Sequence, residues 1–303
     1  MVENTDQAAG MTRLGTLTGI ASRDEQLIEV NDHLWVSKDI SDSILVTTPE
    51  GNVVINSGMP GNGETHRQRF REVSEQPVEY LVITQCHGDH FGGVHEIRDP
   101  ETRVITQEKF EECREYWRIL DDFYKRRSGK LWGSVLGKRA DVKNIIREVT
   151  PDITFRDDYM LELGGRQFEL YAVSGGESED GVIVWLPQEK LVISGDMAFH
   201  QRMLPLFEHT DTAAWIATWD KFADLGAEVV IPGHGGPTTM DVVTLYTKDY
   251  LVHLRKEVAA VIDEGGSMLE AYEIDQSDFM HLPTAEFLSK RNAGQVFQMM
   301  EFE

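Results

Sequence analysis

The apolar residues of this 303-residue chain fall largely into short runs that turn-forming residues separate. Runs of this length that alternate with polar positions, or that end at Gly, Pro, Asn or Asp, are typical of β-strands. Four of them occur early in the chain, at residues 27–30, 34–36, 43–47 and 53–56. The last two flank the turn sequence Pro49-Glu50-Gly51-Asn52, which favours an antiparallel hairpin. We therefore expect the fold to begin with an antiparallel meander.

A crossover connection follows this meander. Residues 63–75 have the composition of a helix, and the apolar run at residues 80–83 predicts a buried strand. A short helix is expected at 94–98 and another strand at 103–106. Strand, helix and strand in this order predict parallel pairing, so the sheet should be mixed, with helices outside it.

The second half of the chain has the same strand-rich character, although no sequence repeat is visible. Strands are expected at residues 153–155, 159–163, 167–173, 182–186, 191–194 and 228–231, and helices at 212–225 and 241–263. Gly164-Gly165 and the segment 187–190 predict hairpin turns. We assign residues 1–24 to a loose lead-in, 25–265 to one α/β domain, and 266–303 to a helical C-terminal tail whose role the sequence does not indicate.

Residues 107–150 are expected to form a helical insertion of a different character. A predicted helix at 108–124 leads into a basic stretch with interleaved aromatic residues. The basic residues are Lys125, Arg126, Arg127, Lys130, Lys138, Arg139, Lys143 and Arg147, and the aromatic ones are Trp117, Phe123, Tyr124 and Trp132. Such a segment is either a lid that steers an anionic or aromatic substrate, or a solvated surface over packed aromatic side chains, and we favour the second.

Bulk composition narrows the classes of function. Hydrophobic residues make up 41% of the chain, enough for a sizeable core, and the net charge of −23 argues against a nucleic-acid partner because such proteins are usually basic. The two cysteines, Cys86 and Cys113, are too few for a disulfide framework. No apolar stretch approaches the roughly 18 residues of a membrane span, and residues 1–22 lack the pattern of a secretory signal. We expect a cytoplasmic protein without a membrane partner.

The candidate chemistry is concentrated directly after the predicted strand at 80–83. The loop there reads Thr84-Gln85-Cys86-His87-Gly88-Asp89-His90-Phe91-Gly92-Gly93 and holds two histidines and a carboxylate close together. Imidazole and carboxylate groups at this density suit a zinc ion, whose nitrogen and oxygen ligands lie about 2.0–2.2 Å away. Cys86 could also bind a metal, but a small packed side chain is the simpler interpretation. The loop therefore predicts a metal site.

This loop resembles the metal-binding signature of the metallo-β-lactamase superfamily, Thr-His-x-His-x-Asp-His-x-Gly-Gly. The chain departs from that signature at Gln85, where the family normally has its first histidine; it matches at Thr84, His87, Asp89, His90, Gly92 and Gly93. One subgroup of metallo-β-lactamases also carries Gln there, so the exchange does not by itself exclude activity. The resemblance implies a four-layer αβ/βα sandwich and a cofactor of one or two zinc ions per chain.

The resemblance extends to later strand ends. Gly195-Asp196 matches the family's bridging aspartate, and Gly233-His234-Gly235-Gly236 matches its final histidine. The loop after residue 173 has no histidine, and its Glu177 is the nearest candidate, as in the alkylsulfatase-like branch. Asn56 stands where the family usually has an aspartate near the metals, although a strand-ending turn explains it almost as well. The implied metal ligands are Gln85, His87, Asp89, His90, Glu177, Asp196 and His234.

These ligands imply two unequal sites and a hydrolytic reaction. An intact site would use Asp89, His90, Asp196 and His234, whereas Gln85, His87 and Glu177 would form a weaker one, because an amide oxygen is a poorer zinc ligand than imidazole. A metal-activated water would be the nucleophile. The expected catalytic residues are Asp89, which orients the reaction and accepts a proton, and His87, which holds the second metal or stabilises the developing anion. No complete Gly-x-Ser-x-Gly or phosphate-loop motif indicates another mechanism.

The substrate stays open at this point. A small-molecule ester, lactone or sulfate ester is expected, and the Glu177 loop favours the sulfate ester. The alternatives are hydrolytic dehalogenation of an aromatic compound and a non-catalytic, metal-binding member of the fold. A homodimer is the default expectation for such a protein.

Overall fold

Two β-sheets dominate the computed structural model of this chain, which describes residues 26–59, 61–115, 149–173, 175–301 and 303. The predicted lead-in and most of the predicted basic insertion, including Arg126 and Arg127, lie outside these ranges. The first sheet contains, in spatial order, β1 (Leu27–Asn31), β2 (Leu34–Ser37), β3 (Ser43–Thr48), β4 (Gly51–Ile55), β5 (Val78–Val82), β6 (Arg103–Gln107) and β7 (Ile153–Phe155).

The first sheet is mixed, as the sequence predicted. Strands β1 to β4 pair antiparallel, and β4 to β7 pair parallel. The hairpin between β3 and β4 is stabilised by Thr48, whose Oγ1 accepts from the Glu50 N–H at 3.1 Å and donates to the Gly51 carbonyl at 2.8 Å. Parallel pairing needs a crossover connection, which α1 (Gly63–Val73) supplies between β4 and β5.

The second sheet has five strands in the spatial order β12-β11-β10-β9-β8. They are β8 (Asp158–Leu163), β9 (Arg166–Val173), β10 (Gly181–Leu186), β11 (Leu191–Phe199) and β12 (Val229–His234). Only β11 and β12 pair parallel, with helix α4 (Thr212–Ala223) between them. The sequence predicted that β12 would end before Pro232, but the strand continues to His234. Proline has no N–H to donate, and it is tolerated here because β12 is an edge strand.

The remaining helices cover the outer faces of the two sheets. They are α2 (Gly88–Phe91), α3 (Val94–Ile97), α5 (Met240–Val243), α6 (Tyr250–Asp263), α7 (Met268–Ala271) and α8 (Ala285–Met300), with a 3₁₀ turn at Ser277–Phe279. The long helix predicted at 241–263 is continuous but contains a π-helical segment, Thr244–Asp249, between α5 and α6. None of the helices in the described ranges has the length and apolar character that crossing a bilayer requires.

Buried side chains form three cores, which define four layers. The central core lies between the sheets and includes Ile44 and Val46 of β3 as well as Val182 and Val184 of β10. Alternate residues of the same strands point outwards, so that Leu45 joins a core under α1 to α3. The third core packs α4, α6 and α8 against the outer face of the second sheet. The αβ/βα sandwich that the resemblance implied is confirmed.

The C-terminal residues belong to this third core. Val296 and Phe297 of α8 are buried in it. Asn292, which is fully buried, donates to the Leu204 carbonyl at 2.7 Å and accepts from the Leu206 N–H at 3.1 Å. Helix α8 therefore fixes the segment that follows β11, a contact that no local sequence pattern predicts.

Candidate metal centre

Strand β5 delivers the motif loop to one edge of the first sheet. His87 precedes α2, which carries Asp89 and His90 in its short turn. Behind this turn, a Cβ on Gly93 would lie 2.2 Å from the Ser57 carbonyl oxygen, so only glycine allows the two backbone segments to approach so closely. The chemistry-bearing side chains of the loop are thereby held against the end of β4.

Asp196 enters the centre from within β11. The sequence predicted that the strand would end at Ser194, but β11 continues to Phe199 through a bulge at Gly195, whose φ is +50°. A bulge of this kind redirects the next side chain. The Oδ2 atom of Asp196 lies 3.2 Å from Nε2 of His90 and 3.3 Å from Nε2 of His234.

His234, the last residue of β12, faces the centre with one definite tautomer. Its Nδ1 lies 2.5 Å from the Ile40 carbonyl oxygen, and a carbonyl only accepts, so Nδ1 carries the proton. The Phe199 ring stacks on the imidazole at 5.5 Å. Nε2 therefore faces the carboxylates of Asp89, at 3.4 Å, and Asp196.

Ligand atoms of Asp89, His90 and His234 lie within 4.8 Å of one another, as do those of His87, Glu177 and Asp196. The first group is also in contact with Asp196, as described above. The structure thus brings together six of the predicted residues, and Gln85 lies between the two groups. The geometry agrees with two adjoining positions that share Asp196.

Glu177 links Gln85 to the second group and also contacts His87 within that group. Nε2 of Gln85 donates to Glu177 Oε2 at 2.9 Å and to Asp196 Oδ2 at 2.8 Å. Nδ1 of His87 lies 2.9 Å from the same Glu177 oxygen. Cys86, in contrast, is buried in the core under α1 to α3, and its thiol lies with Cys113 and Asp180 in a separate group.

Asn56 supports this arrangement from the end of β4, where its φ is +60°. Its Oδ1 accepts from the Thr84 N–H at 2.9 Å, and its Nδ2 lies 3.0 Å from Nδ1 of His90. The contact with a candidate ligand is the one that the resemblance implied. A turn-forming role alone does not explain it.

The electrostatics of the centre are dominated by three buried or half-buried carboxylates. Burial tends to lower the pKa of His90, but the neighbouring carboxylates Asp196 and Asp89 outweigh it and raise this pKa to about 9. Burial, followed by repulsion from Asp196, raises the pKa of Glu177 well above its usual range. Burial alone would also raise the pKa of Asp89, but the imidazoles of His90 and His234 lower it.

Such a concentration of negative charge fits a bound cation. Buried carboxylates need a counter-charge, which either an imidazolium or a divalent cation supplies. Oδ1 of Asp196 is buried and has no hydrogen-bond partner among the described residues. Imidazole nitrogens and carboxylate oxygens are also the ligand types that zinc prefers. The donor set is therefore compatible with the metal that the sequence predicted.

Three further residues touch the centre that sequence reasoning missed. Ser41 donates to Asp89 Oδ2 at 2.9 Å, and Ser178 lies 3.2 Å from Gln85 Oε1. Nη1 of Arg202 lies 3.2 Å from Nδ1 of His234, which carries a proton already and cannot accept. Nε of Arg202 is buried and has no hydrogen-bond partner among the described residues. Only its position six residues after Asp196 marked it in the sequence.

A buried ion pair fixes the loop that carries His234. Nζ of Lys38 lies 2.6 Å from Oδ2 of Asp42 and also donates to the Gly235 carbonyl. The Asp42 N–H donates to the Gly233 carbonyl at 2.9 Å. Burial raises the pKa of Asp42 to about 6, although Lys38 opposes this effect. The pair therefore contacts the backbone on both sides of His234.

Comparison with known proteins now identifies the family. A family model for the metallo-beta-lactamase superfamily matches residues 36–234, which carry every candidate ligand. The chain belongs to the metallo-β-lactamase superfamily. Membership confirms the family that the motif loop indicated, with Gln85 as the departure from its usual signature.

Several relatives in this superfamily are hydrolases by name. The chain is 23% identical over 249 residues to a linear primary-alkylsulfatase from Pseudomonas sp., which covers 73% of this chain and 47% of the relative. The inverting sec-alkylsulfatase Pisa1 from Pseudomonas sp. superposes with a TM-score of 0.76 at 20% identity, covering 90% of this chain and 50% of that one. A metallo-β-lactamase from Pontibacter korlensis gives a TM-score of 0.57 at 24% identity, covering 75% and 98%. The chain thus spans about half the length of these alkylsulfatases.

Proposed function

We propose that this protein is a metal-dependent hydrolase that cleaves a small-molecule ester, with a sulfate ester as its substrate class. The observation that carries the proposal is the convergence of Asp89, His90, Asp196 and His234, which come from three separate segments of the chain, onto one buried position. Chance packing rarely collects so many titratable groups, and active sites are where such groups are concentrated.

Asp89, His90, Asp196 and His234 would hold the metal, which we propose to be zinc. When bound, zinc supplies Lewis acidity and lowers the pKa of water to near 7, so that hydroxide is available at neutral pH. His234 is already in the required tautomer, since Ile40 holds the proton on Nδ1. Gln85, His87 and Glu177 adjoin this position and include the candidate ligands for a second ion.

Asp89 and His87 are the residues placed to move protons. The side chain of Asp89 is 21% exposed whereas that of Asp196 is 1% exposed, so a substrate approaches from the side of Asp89. Its lowered pKa keeps Asp89 ionised near neutral pH, and the Ser41 hydroxyl fixes one of its oxygens. An ionised, oriented carboxylate can accept a proton from the attacking water. His87 lies beside Phe207, with ring centroids 5.3 Å apart, where it can donate to a developing anion.

Arg202 supports the choice of an anionic substrate. Its guanidinium lies beside His234, its buried Nε has no partner in the described part of the chain, and guanidinium is the preferred donor to planar or tetrahedral oxyanions. A sulfate ester offers such oxygens next to the bond that breaks. The similarity to two alkylsulfatases points in the same direction.

The proposal is tested by turnover of a panel that includes an alkyl sulfate, a carboxylic ester, a lactone and an aryl halide. Zinc-loaded protein should hydrolyse the alkyl sulfate with the highest kcat/KM. Arg202→Met should lower that kcat/KM by about 10–100-fold, because a hydrogen bond to a charged group contributes about 1.5–3 kcal/mol. Its effect on the carboxylic ester, which has no charge, should be small.

The matched control is Arg71→Met, which removes the same charge from an exposed position on α1. Preference for the ester or lactone with no effect of Arg202→Met would refute the sulfate ester and retain the hydrolase. Turnover of the aryl halide alone would indicate hydrolytic dehalogenation. No turnover of any compound by metal-loaded protein would favour a non-catalytic, metal-binding member of the fold.

A further inference from the structure

The side-chain amide of Gln85 lies in the middle of the ligand atoms. Its Nε2 is 2.9 Å from Oε2 of Glu177 and 2.8 Å from Oδ2 of Asp196. The same atom is 3.0 Å from Nδ1 of His87 and 3.0 Å from Nε2 of His90. Four potential ligand atoms therefore surround one amide nitrogen at hydrogen-bond distance.

The orientation of this amide follows from its partners. The observed carboxylate oxygens are hydrogen-bond acceptors for the amide nitrogen, which offers two hydrogens, one each for Glu177 and Asp196. The flipped amide would place its oxygen against both carboxylate oxygens. In the observed orientation Oε1 instead lies 3.2 Å from the Ser178 hydroxyl, which can donate to it. The amide oxygen, the atom that could bind a metal, thus faces away from the two carboxylates.

His87 makes a further hydrogen bond to Glu177. Its Nδ1 lies 2.9 Å from Oε2 of Glu177, at a distance that places a proton between them. A ring nitrogen that shares this proton with a carboxylate is not available to a metal. The two amide N–H groups and this hydrogen bond therefore satisfy the carboxylate oxygens where the family signature would place an ion.

We propose that Gln85 replaces one metal ion rather than binding it: its amide N–H groups hold Glu177 and Asp196 together, and each chain binds one divalent cation. That cation is held by Asp89, His90, Asp196 and His234. The inference rests on the proposed function, because it concerns the same site, and it changes the roles of Gln85, His87 and Glu177 from metal ligands to hydrogen-bonding residues. It also assigns to His87 a role towards the substrate rather than towards a second metal.

Elemental analysis of the zinc-loaded chain tests the inference without any assay of activity. After loading with excess zinc and removal of unbound metal, the wild-type protein should hold one ion per chain. Gln85→His should hold two, because imidazole replaces two N–H donors by a nitrogen ligand. The control Gln68→His adds the same imidazole on the exposed face of α1, where Gln68 donates to Glu64, and should hold one.

The outcomes separate this inference from the proposed function. Two ions in the wild-type protein would overturn the inference and leave the proposed function standing. No ion in the wild-type protein would overturn both. A single ion in a Gln85→His variant that keeps the wild-type circular dichroism spectrum would also overturn the inference, since the amide would then not be what excludes the second ion.

A second measurement does not depend on the folding of Gln85→His. The dissociation constant for zinc is determined by competition with a chromophoric chelator in the wild-type protein, Glu177→Gln and Asp89→Asn. Loss of a direct ligand should weaken binding by about tenfold or more, as expected for Asp89→Asn, whereas Glu177→Gln should change it by less than about threefold. Equal losses in the two variants would show that Glu177 binds the ion and would overturn the inference.

Discussion

The buried pair of Lys38 and Asp42 should respond very unequally to removal of its two partners. Both side chains are almost completely buried, at 8% and 0% exposure, with 2.6 Å between Nζ and Oδ2. Whichever charge remains after a substitution must be neutralised or stay buried without its partner. The cost of a substitution is therefore limited by the pKa of the group that remains.

Asp42→Ala should be the costly change. It leaves Lys38 in the interior, and releasing the proton of an ordinary lysine, with a pKa of about 10.4, at pH 5 costs about 7 kcal/mol. We expect a loss of about 3–5 kcal/mol in the free energy of unfolding at pH 5. At pH 7 the loss should be smaller, because the substitution also removes the cost that ionised Asp42 imposes on the wild-type protein. In Lys38→Met, Asp42 can take up a proton instead. Its pKa is already raised to about 6 from 3.8, so Asp42 is largely protonated at pH 5 in the wild-type protein as well, and the loss at pH 5 should be below about 1 kcal/mol.

The pH dependence has a definite sign. Because burial raises the pKa of Asp42 in the folded state, the stability that this group contributes is fully present below pH 3.8 and is lost as the pH rises through about 6. The difference between these two values corresponds to about 3 kcal/mol, at about 1.36 kcal/mol per pKa unit. This contribution is absent from Asp42→Ala.

Urea unfolding followed by circular dichroism, at pH 7 and at pH 5, measures these differences. Tryptophan fluorescence on the same samples checks that the unfolding is a single transition. A larger loss for Lys38→Met than for Asp42→Ala at pH 5 would refute the reasoning. So would equal losses, because they would mean that neither charge can be neutralised in place.

Three further predictions concern the backbone of the centre, the C-terminal helix and the metal. Gly233→Ala should weaken zinc binding by about tenfold or more, measured by chelator competition, because its Cβ would lie 2.2 Å from Oδ1 of Asp196 and 3.0 Å from Cε1 of His90; unchanged affinity would contradict this packing. Asn292→Ala should lower the free energy of unfolding in urea by about 2–4 kcal/mol, because it leaves the Leu204 carbonyl and the Leu206 N–H unsatisfied, at about 1–3 kcal/mol each. A loss below about 1 kcal/mol would refute this prediction. Dialysis against a chelator should abolish hydrolysis and lower the Tm, and added zinc should restore both, because a ligand of the folded state stabilises it; full activity after complete removal of metal would exclude a metal-dependent reaction.

Much of the fold and the centre of the site could be predicted because their signals are local. Short apolar runs between turn residues predict the strands, and the candidate ligands follow strand ends in glycine-rich loops. The structure brings Asp196 to the candidate centre, although the sequence placed the end of its strand too early. The Gly-Asp pair marks a change of direction, but sequence alone does not distinguish a strand end from the bulge that Gly195 makes.

Other features depend on contacts between distant parts of the chain, which leave no local signal. Ser41 and Arg202 look like ordinary loop residues until the fold brings Asp89 and His90 beside Ser41 and His234 beside Arg202. The orientation of the Gln85 amide is decided by Glu177 and Asp196, which lie far along the chain. A pattern can predict which residue is present at a site, but the direction of its hydrogen bonds requires its partners.

Several predictions from the sequence remain predictions. The cytoplasmic location, the homodimer, the small-molecule partner and the absence of nucleic-acid and membrane partners rest on the sequence, as do the domain boundaries. The choice between a lid and a solvated surface for the basic insertion concerns residues outside the described ranges. Replacement of Arg126 and Arg127 by Ala addresses it: a higher KM for an anionic substrate would support the lid, and unchanged kinetics would exclude it.

The π-helical segment Thr244–Asp249 makes this helix sensitive to the insertion or deletion of a residue, although the helix is remote in sequence from the motif loop. A π-helical turn holds one more residue than an α-helical turn, and each residue advances an α-helix by about 100°. On one side of the segment's centre, Thr244 Oγ1 accepts from the Trp219 indole N–H at 3.2 Å; on the other side, Tyr250 is buried in the third core.

Between these two contacts, the Thr247 hydroxyl forms hydrogen bonds to the backbone of Phe199, the last residue of β11. Its Oγ1 accepts from the Phe199 N–H at 2.8 Å and lies 3.2 Å from the Phe199 carbonyl oxygen, to which it donates. Deleting one residue here would restore a regular α-helix, but it would turn Thr247 or one of its flanking contacts away by about 100°. Since the Phe199 ring stacks on His234, an insertion or deletion in this outer helix would disturb the position of His234 at the metal centre. Natural variation in chain length should therefore avoid this helix and accumulate in the surface loops.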